Sequence, residues 1–275
     1  MDVKILAVDI DGTVLRSDGT ISAVTVEALR AVRDKGIEVI LCTGRRLRST
    51  LPIARKIGVM LPLVLQNGSI VKSPVTTETV FARYLDRSLC LRVADLMLSR
   101  DYVPLIYTDT YEAGVDFYTL RRRSRSPRHT AYLQRNRATG RVLDSLEELP
   151  TDRIAKVLCF GEVEECRRLS AEVQAAFDVN ACVLSNVEYV GILFEVFAKG
   201  ISKFTGFLEC LKLSGYSLDS VAAIGDDMND LELLRSVPLS IAMGNAVPEV
   251  KAAARFVTAT NDEDGLALAI REHLL

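Results

Sequence analysis

Residues 3–13 read VKILAVDIDGT, an apolar run that ends in two acidic residues, a glycine and a threonine. The run has the length and the Val and Ile content of a buried strand, so we predict a β-strand over residues 3–9. Ligands of parallel α/β sheets bind beyond the carboxyl ends of the strands, which is where Asp9 and Asp11 lie. Two carboxylates so close together repel each other and favour a cation near them. Asp and Gly are also common turn residues, so this motif alone leaves a purely structural role open.

The residues that follow alternate between helical and strand patterns. Ser22 is expected to cap the first helix and Gly36 to end it. Such an alternation is typical of a parallel sheet with helical crossovers. The predicted elements are a helix over 22–35, a strand over 37–42, a helix over 46–57 and a strand over 61–66.

The C-terminal part of the sequence returns to the same alternation. Pro248 suits the first turn of a helix, and Asn245 is expected to cap that helix. Asn261 and Asp262 are the candidate caps of the last helix. The predicted elements are a helix over 203–214, a strand over 219–224, a helix over 229–235, a strand over 239–243, a helix from 247 and a final helix over 263–273.

Between these two parts the pattern changes to short strands and separate helices. Residues 70–81 predict a β-hairpin, and residues 83–187 predict an inserted α+β domain. The strand pattern at 188–197 could pair with either body, and we assign it to the main domain. The predicted organisation is therefore an α/β core with a parallel sheet over 1–82 and 188–275, interrupted by the inserted domain.

The composition limits the possible partners and locations of the protein. The 275 residues carry a formal net charge of −2, which gives no electrostatic reason to expect nucleic acid or an anionic membrane as a partner. No apolar run approaches the length of a membrane span, and the first residues lack the pattern of a signal peptide. His129 and His273 are too isolated for a histidine-based zinc site. The six cysteines form no C-x-x-C pair, so we expect free thiols and a cytoplasmic protein.

Two weaker motifs add anion-binding groups. Thr43-Gly44-Arg45 follows the second predicted strand and opens a helix, where backbone N–H groups favour phosphate. A turn and a helix cap explain the same residues equally well. Lys203 lies at a predicted helix start, where a positive charge is unfavourable unless it balances a negative ligand. Lys199 is the competing candidate, and lone lysines are commonly exposed surface residues.

Residues 225–230 read GDDMND and follow the predicted strand VAAI. Asp226, Asp227 and Asp230 supply three carboxylates and Asn229 an amide, which exceeds the single side chain that capping needs. Oxygen-rich clusters of this kind suit Mg²⁺, which takes one or two carboxylates together with waters and substrate phosphate. Combined with the other motifs, this cluster predicts a phosphoryl-transfer site, where catalysis rests on positioning and charge stabilisation.

The motifs DIDGT, TGR, ISK and GDDMND resemble those of the haloacid dehalogenase-like (HAD) superfamily, and of its Cof-type sugar-phosphatase branch in particular. They occur in the order and spacing of that family, together with the segments QNGS (66–69), AMGNA (242–246) and TNDEDGLA (260–267). The resemblance covers nearly the whole chain. It implies a Rossmann-like core with a cap domain inserted after the third strand. It also implies a Mg²⁺-dependent phosphatase that acts on sugar phosphates or similar small metabolites.

The resemblance further implies a role for each matching residue. Asp9 would attack phosphorus and form an aspartyl-phosphate, and Asp11 would protonate the leaving alcohol and then activate water. Mg²⁺ would be held by Asp9, by the main-chain carbonyl of Asp11 and by Asp226. The other expected site residues are Thr43, Gly44, Lys203 and Asn229 as phosphate-binding groups, Asp230 and Asp227 as supporting groups, and Arg45 and Asn67 as substrate contacts.

Two features depart from the family pattern. Phe204 follows Lys203 where the family often has glycine. The predicted cap carries five arginines between residues 121 and 128. We interpret this segment as a solvated loop or helix end, or alternatively as an anion-attracting flap. The natural substrate is therefore left open.

Three other functions are compatible with parts of this pattern. A phosphomutase would pass the phosphoryl group to a second sugar hydroxyl. A catalytically silent phosphometabolite-binding module would be expected to have lost carboxylates, and none of the expected ones is missing. A receiver-like signalling domain also uses an aspartyl-phosphate, but such domains are single and small, unlike this chain. The pattern carries no indication of an oligomeric state.

Overall fold

The computed structural model describes residues 2–186 and 191–275. The chain divides into two compact units. The first, which we call the core unit, comprises the residues up to Phe81 and Ser202–Leu275. The second, the inserted unit, comprises Ala82–Ile201. The predicted fold class, a parallel α/β core with an inserted α+β body, is confirmed.

The first part of the core unit alternates strands and helices as predicted. Ser22 caps the first helix, because its side-chain oxygen accepts a hydrogen bond of 3.0 Å from the Thr25 N–H. The elements are β1 (Ile5–Val8), α1 (Ala23–Asp34), β2 (Glu38–Leu41), α2 (Leu47–Ile57), β3 (Leu63–Leu65), β4 (Ile70–Lys72) and β5 (Thr79–Ala82).

The inserted unit is built on a six-stranded sheet with the order β10-β11-β9-β6-β7-β8. Its elements are α3 (Arg87–Ser99), β6 (Leu105–Thr108), β7 (Phe117–Leu120), α4 (Pro127–Arg135), β8 (Gly140–Leu143), β9 (Ile154–Gly161), α5 (Val163–Ala176), β10 (Val179–Asn186) and β11 (Gly191–Ala198). The pairings are antiparallel except that between β7 and β8. One hydrophobic cluster joins α3 and α5 to this sheet and includes Met97, Val157, Val173 and Phe194.

The last part of the core unit completes its sheet. The elements are α6 (Lys203–Ser214), β12 (Val221–Gly225), α7 (Leu231–Ser236), β13 (Leu239–Ala242), α8 (Pro248–Ala253), β14 (Phe256–Val257) and α9 (Gly265–His273). The sheet has the order β14-β13-β12-β1-β2, and all its pairings are parallel. All four residues of β1 are fully buried, because helices cover both faces of a parallel sheet. This explains why residues 3–9 read as a continuous apolar run.

The structure changes one predicted domain boundary. The strand predicted at 188–197 corresponds to β11, which pairs antiparallel with β9 and β10 in the inserted unit. The core unit therefore resumes at Ser202, about one strand later than predicted, and the inserted unit starts at Ala82. An apolar strand fits either sheet, so its pattern does not reveal its partners. The predicted boundary itself falls at residues 187–190, outside the described residues.

The cap of α8 also differs from the prediction. Pro248 is the first residue of the helix, and Val247 is its N-cap. Asn245 lies two residues before that cap, and its side chain donates to the main-chain oxygen of Gly12 instead. The prediction was wrong because Pro248, and not the amide, sets the start of this helix.

The last helix starts later than predicted. Asn261–Glu263 form a separate 3-10 turn, and α9 begins at Gly265. Asp264 lies between the two with a φ of 59°, so the left-handed backbone there separates the turn from the helix. Neither Asn261 nor Asp262 is therefore the cap of α9.

The arginine-rich segment lies in the inserted unit and leads into α4. Its charges are paired in part with acidic side chains of the same unit. The ion pairs are Arg121–Asp144 at 2.7 Å, Arg125–Glu165 at 2.5 Å and Arg128–Glu162 at 3.2 Å. These contacts favour the interpretation of a solvated surface segment.

The cysteines and helices agree with two expectations from composition. All six cysteines are free thiols, and five of them are buried, as expected for small apolar side chains in the core. Across residues 2–186 and 191–275, none of the helices combines the length and the apolar character that crossing a membrane requires.

Candidate active site

The ends of three neighbouring parallel strands bring the predicted residues together. Asp9 follows β1, Thr43 follows β2, and Asp226 follows β12. β1 pairs with β2 on one side and with β12 on the other, so the segments that leave the three strands lie at one edge of the sheet. This is the carboxyl edge, where ligands of parallel sheets bind.

A buried lysine lies between two of the carboxylates. The Nζ of Lys203 donates to Oδ1 of Asp9 at 2.6 Å and to Oδ1 of Asp230 at 2.7 Å. Lys203 is the first residue of α6, after the capping residue Ser202, and only 1% of its surface is exposed. A buried charge is retained only where partners offset the cost of removing it from water. The two carboxylates supply that compensation.

The pKa values in this cluster follow from burial and neighbouring charges. Burial opposes the charged form of Lys203, but Asp230 and Asp9 favour it, and the net effect raises the pKa of the lysine. Burial raises the pKa of Asp9 to about 7; the charge of Lys203 opposes this shift, and the charges of Asp230 and Asp11 add to it. Burial, Asp9 and Asp230 raise the pKa of Asp226 well above its usual range. The charged forms of these carboxylates are therefore unfavourable without a further positive charge, which favours a bound cation.

Donors from two other segments fix the Asp226 carboxylate. Thr13 Oγ1 donates to its Oδ1 at 3.0 Å, and Asn245 Nδ2 donates to its Oδ2 at 3.4 Å. Gly12, with a φ of 76°, lies against the same group, and a Cβ there would be 2.2 Å from Oδ2. Only a residue without a side chain therefore allows this close approach.

Asp230 supports the loop that carries Asp226. Its Oδ2 accepts from the N–H groups of Asp226 and Asp227 at 3.1 and 3.2 Å, while its Oδ1 accepts from Lys203. The Asp227 side chain accepts from the N–H of Met228 at 2.7 Å and starts the next turn. Both oxygens of Asp230 accept hydrogen bonds from protein groups, so Asp230 is placed to support the loop that carries Asp226.

Asp11 faces an arginine. Arg45 Nε donates to Oδ2 of Asp11 at 2.7 Å, and Arg45 Nη2 donates to Oδ1 at 2.6 Å. This two-pronged contact is the strongest geometry available to an arginine and a carboxylate. Arg45, which the family resemblance suggests as a substrate contact, thus holds the proposed acid–base residue in this structure.

Asn67 joins the two loops that carry Thr43 and Asn229. Its N–H donates to the main-chain oxygen of Thr43 at 3.0 Å, and its Oδ1 accepts from Asn229 Nδ2 at 2.9 Å. Thr43 is fully buried, and its Oγ1 accepts from the N–H of Arg45 at 3.1 Å. A Cβ on Gly44 would lie 3.1 Å from Asn67 Oδ1, so the loops pack tightly.

Three carboxylates are close enough to share a metal ion. Asp9, Asp226 and Asp230 each offer an oxygen within 4.8 Å of the others. Of these, Asp230 is fully engaged, whereas Oδ2 of Asp9 accepts no hydrogen bond from the described residues. Hard carboxylate oxygens with room for water and a ligand oxygen fit a divalent cation such as Mg²⁺. The donor set, with three carboxylates around one lysine, is consistent with such an ion.

The two candidate lysines lie in different surroundings. Lys199 belongs to the inserted unit, is exposed and pairs with Asp178 at 3.3 Å. Lys203 lies in the cluster.

Two contacts of Asp226 were missed by sequence reasoning, those from Thr13 and Asn245. The hydroxyl of the DIDGT motif signals the first, but no local pattern signals the second.

Comparisons with known proteins show what this chain is similar to. A sequence model of the haloacid dehalogenase-like hydrolases matches residues 6–270. The stress response protein YhaX of Bacillus subtilis is 28% identical, with 99% of this chain and 94% of that protein covered. The 5-amino-6-(5-phospho-D-ribitylamino)uracil phosphatase YitU of the same organism is 27% identical, with 98% and 97% covered. A haloacid dehalogenase-like hydrolase from Bacteroides thetaiotaomicron has a solved structure with 25% identity and a TM-score of 0.80, over 98% of this chain and 99% of that one.

Proposed function

The chain belongs to the haloacid dehalogenase-like hydrolase family and is a phosphatase, and from that premise we propose that it hydrolyses sugar phosphates or similar small phosphomonoesters. The proposed reaction uses Mg²⁺ and passes through an aspartyl-phosphate on Asp9. The proposed location is the cytoplasm, which agrees with six free cysteines.

One observation carries the assignment of Asp9 as the nucleophile. Asp9 is 5% exposed, and Lys203 binds one oxygen of its carboxylate at 2.6 Å. The other oxygen accepts no hydrogen bond from the described residues and is therefore available to attack. A nucleophile that is held at one atom and open at the other needs little reorganisation before it reacts.

In the first step an oxygen of Asp9 forms a bond to phosphorus, and the bond from phosphorus to the ester oxygen breaks. The proton of Asp11 goes to the leaving alcohol. Both oxygens of Asp11 accept from Arg45, so the proposal requires this contact to loosen when Asp11 carries the proton. Lys203 and the Thr43–Gly44 turn would hold the transferring phosphoryl oxygens.

In the second step Asp11, now ionised, takes a proton from water. The water oxygen bonds to phosphorus, and the bond from phosphorus to Asp9 breaks, which releases phosphate and restores the carboxylate. Asp9, the main-chain carbonyl of Asp11, and Asp226 would hold Mg²⁺. When bound, the ion would neutralise charge on the phosphoryl oxygens.

The test is hydrolysis of an aryl phosphate with and without Mg²⁺, with Asp9→Asn as the key variant. We expect metal-dependent release of phosphate and a loss of more than about 10³-fold in Asp9→Asn, because the amide cannot act as the nucleophile. The matched control is Asp18→Asn. Asp18 lies in a similar Asp-Gly-Thr segment, but it is exposed and accepts from Thr20 in a surface turn. It should keep full activity.

A substrate panel then identifies the class. It should include hexose and pentose phosphates, nucleotides and a phosphorylated ribitylaminouracil, because relatives are named for that activity. Isomerisation of a hexose monophosphate without net release of phosphate would indicate a phosphomutase instead. Binding without turnover in both assays would indicate a silent binding module.

A further inference from the structure

Asn245 belongs to the AMGNA segment after β13, and its side chain is not used as the cap of α8. We propose that Asn245 is a positioning residue that orients the Asp226 carboxylate for the metal ion and joins it to the loop that carries Asp9. The inference rests on the proposed function, since it takes Asp226 as a metal ligand.

The amide nitrogen of Asn245 has two hydrogens and an acceptor for each. Its Nδ2 lies 2.9 Å from the main-chain oxygen of Gly12 and 3.4 Å from Oδ2 of Asp226. Gly12 is in the DIDGT loop, three residues after Asp9. One side chain thus spans the two loops on which the proposed nucleophile and the proposed metal ligand lie.

The other end of the amide is also fixed. Asn245 Oδ1 accepts from the N–H of Asn261 at 2.9 Å. Asn261 Nδ2 in turn donates to the main-chain oxygen of Leu15 at 2.9 Å. These partners also determine which end of the amide is nitrogen, because a main-chain N–H must meet an acceptor and a carbonyl must meet a donor. The amide plane cannot turn without loss of at least two bonds.

Asp226 needs such fixing because its neighbours repel it. Asp9 and Asp230 are close enough for all three carboxylates to share one ion, so without an ion the electrostatic force separates them. Thr13 holds Oδ1 at 3.0 Å and Asn245 reaches Oδ2, which gives one donor to each oxygen. Groups that hold metal ligands in this way are typically worth about 10–100-fold in metal affinity.

A purely structural role for Asn245 is the main alternative. In that case its bonds to Gly12 and Asn261 would matter only because they fasten the nucleophile loop. The Asn261 side chain fastens the same loop at Leu15 and makes no hydrogen bond to Asp226, so it separates the two explanations. Asn180 is a remote control, since its Nδ2 also donates to a main-chain oxygen, that of Ile201, at 2.7 Å in the inserted unit.

The experiment is calorimetric titration of the metal-free protein with Mg²⁺ alone, without substrate. For Asn245→Ala we expect the dissociation constant to rise about 10–100-fold. Asn261→Ala and Asn180→Ala should keep the affinity of the wild type. A thermal melt of each metal-free variant checks folding. As a second readout, the Mg²⁺ concentration that gives half-maximal activity should rise in Asn245→Ala while KM for an aryl phosphate at saturating Mg²⁺ stays unchanged.

The outcomes separate the two proposals. Wild-type Mg²⁺ affinity in Asn245→Ala, or an equal loss of affinity in Asn261→Ala, overturns the positioning role and leaves the proposed function intact. A wild-type protein that does not bind Mg²⁺, or an Asp226→Asn variant that binds it as tightly as the wild type, overturns the metal assignment and the positioning role together.

Discussion

At the scale of single residues, Lys203 shows how surroundings determine the role of a side chain. A lysine at the first position of a helix is unfavourable by itself, and Lys199 nearby is the competing candidate on sequence grounds. In the folded chain Lys203 is buried between Asp9 and Asp230, whereas Lys199 is exposed. The same residue type is therefore buried among carboxylates in one case and exposed at the surface in the other.

Removal of this lysine is expected to destabilise the protein. In Lys203→Met the carboxylates of Asp9 and Asp230 lose their shared cation, and breaking a buried ion pair in this way costs about 3–5 kcal/mol. Urea unfolding of the metal-free variant at neutral pH measures the difference. A free energy of unfolding equal to that of the wild type would show that the cluster does not depend on Lys203.

Removal of a carboxylate at the same site is expected to have the opposite effect and to stabilise the metal-free protein. Asp226 is held near Asp9 and Asp230, and its pKa is raised by burial and by these two charges. Asp226→Asn should therefore raise the free energy of unfolding of the metal-free protein at neutral pH while it abolishes turnover. Such a trade of stability against activity is common at active sites. Destabilisation by this variant would contradict the charge analysis.

At the scale of elements, the turn between β3 and β4 controls how α6 meets the site. Gln66, Asn67 and Gly68 all have left-handed backbone, with φ values of 51°, 54° and 96°. Such conformations are strained for residues with side chains and persist where the surrounding structure enforces them. A Cβ on Gly68 would lie 2.0 Å from the main-chain oxygen of Ser202, the cap of α6. The turn and the helix start are therefore in direct contact.

Gly68→Ala is expected to damage both stability and activity. The new Cβ must displace the backbone of Ser202, and Lys203 follows directly. A displacement of about 1 Å in a catalytic group can cost about 100-fold in rate, so we expect a fall in kcat of that order. Gly215→Ala is the matched control, because Gly215 also has a left-handed φ, of 74°, but nothing within 4 Å of its Cβ position. It should lose only the roughly 1–2 kcal/mol of left-handed strain and keep its kcat.

At the scale of the whole molecule, each unit has its own buried side chains. In the inserted unit, α4 places His129 in the interior, where its Nε2 lies 3.3 Å from Thr119 Oγ1. Burial lowers the pKa of His129 to about 4. The histidine is therefore neutral in the folded protein throughout the range in which an unfolded histidine becomes protonated.

This burial predicts a loss of stability in acid. Because the unfolded state binds more protons between about pH 6.5 and pH 4, the free energy of unfolding falls as the pH is lowered through that range, by about 3 kcal/mol in total. Above about pH 6.5 the histidine is neutral in both the folded and the unfolded state, so this loss of stability is absent there. The measurement is urea unfolding of the wild type and of His129→Gln at several pH values, and the difference between them should shrink towards acid. A course for His129→Gln that runs parallel to that of the wild type would contradict the prediction.

Much of this protein could be predicted from local patterns. The alternation of apolar strands and amphipathic helices determined the α/β core, because periodicity and strand length are local properties. The positions of Asp9, Thr43 and Asp226 at strand ends determined where the site would be, because parallel strands share one carboxyl edge. The resemblance of four motifs to one family then added the chemistry.

Only the tertiary structure decided which sheet receives β11, that Lys203 is buried between Asp9 and Asp230, and that Arg45 faces Asp11 while Asn245 reaches Asp226. Each of these depends on contacts between segments far apart in the chain. An apolar strand, a lysine or an asparagine has the same local pattern whether it meets one partner or another, and only the packed fold brings that partner within hydrogen-bonding distance.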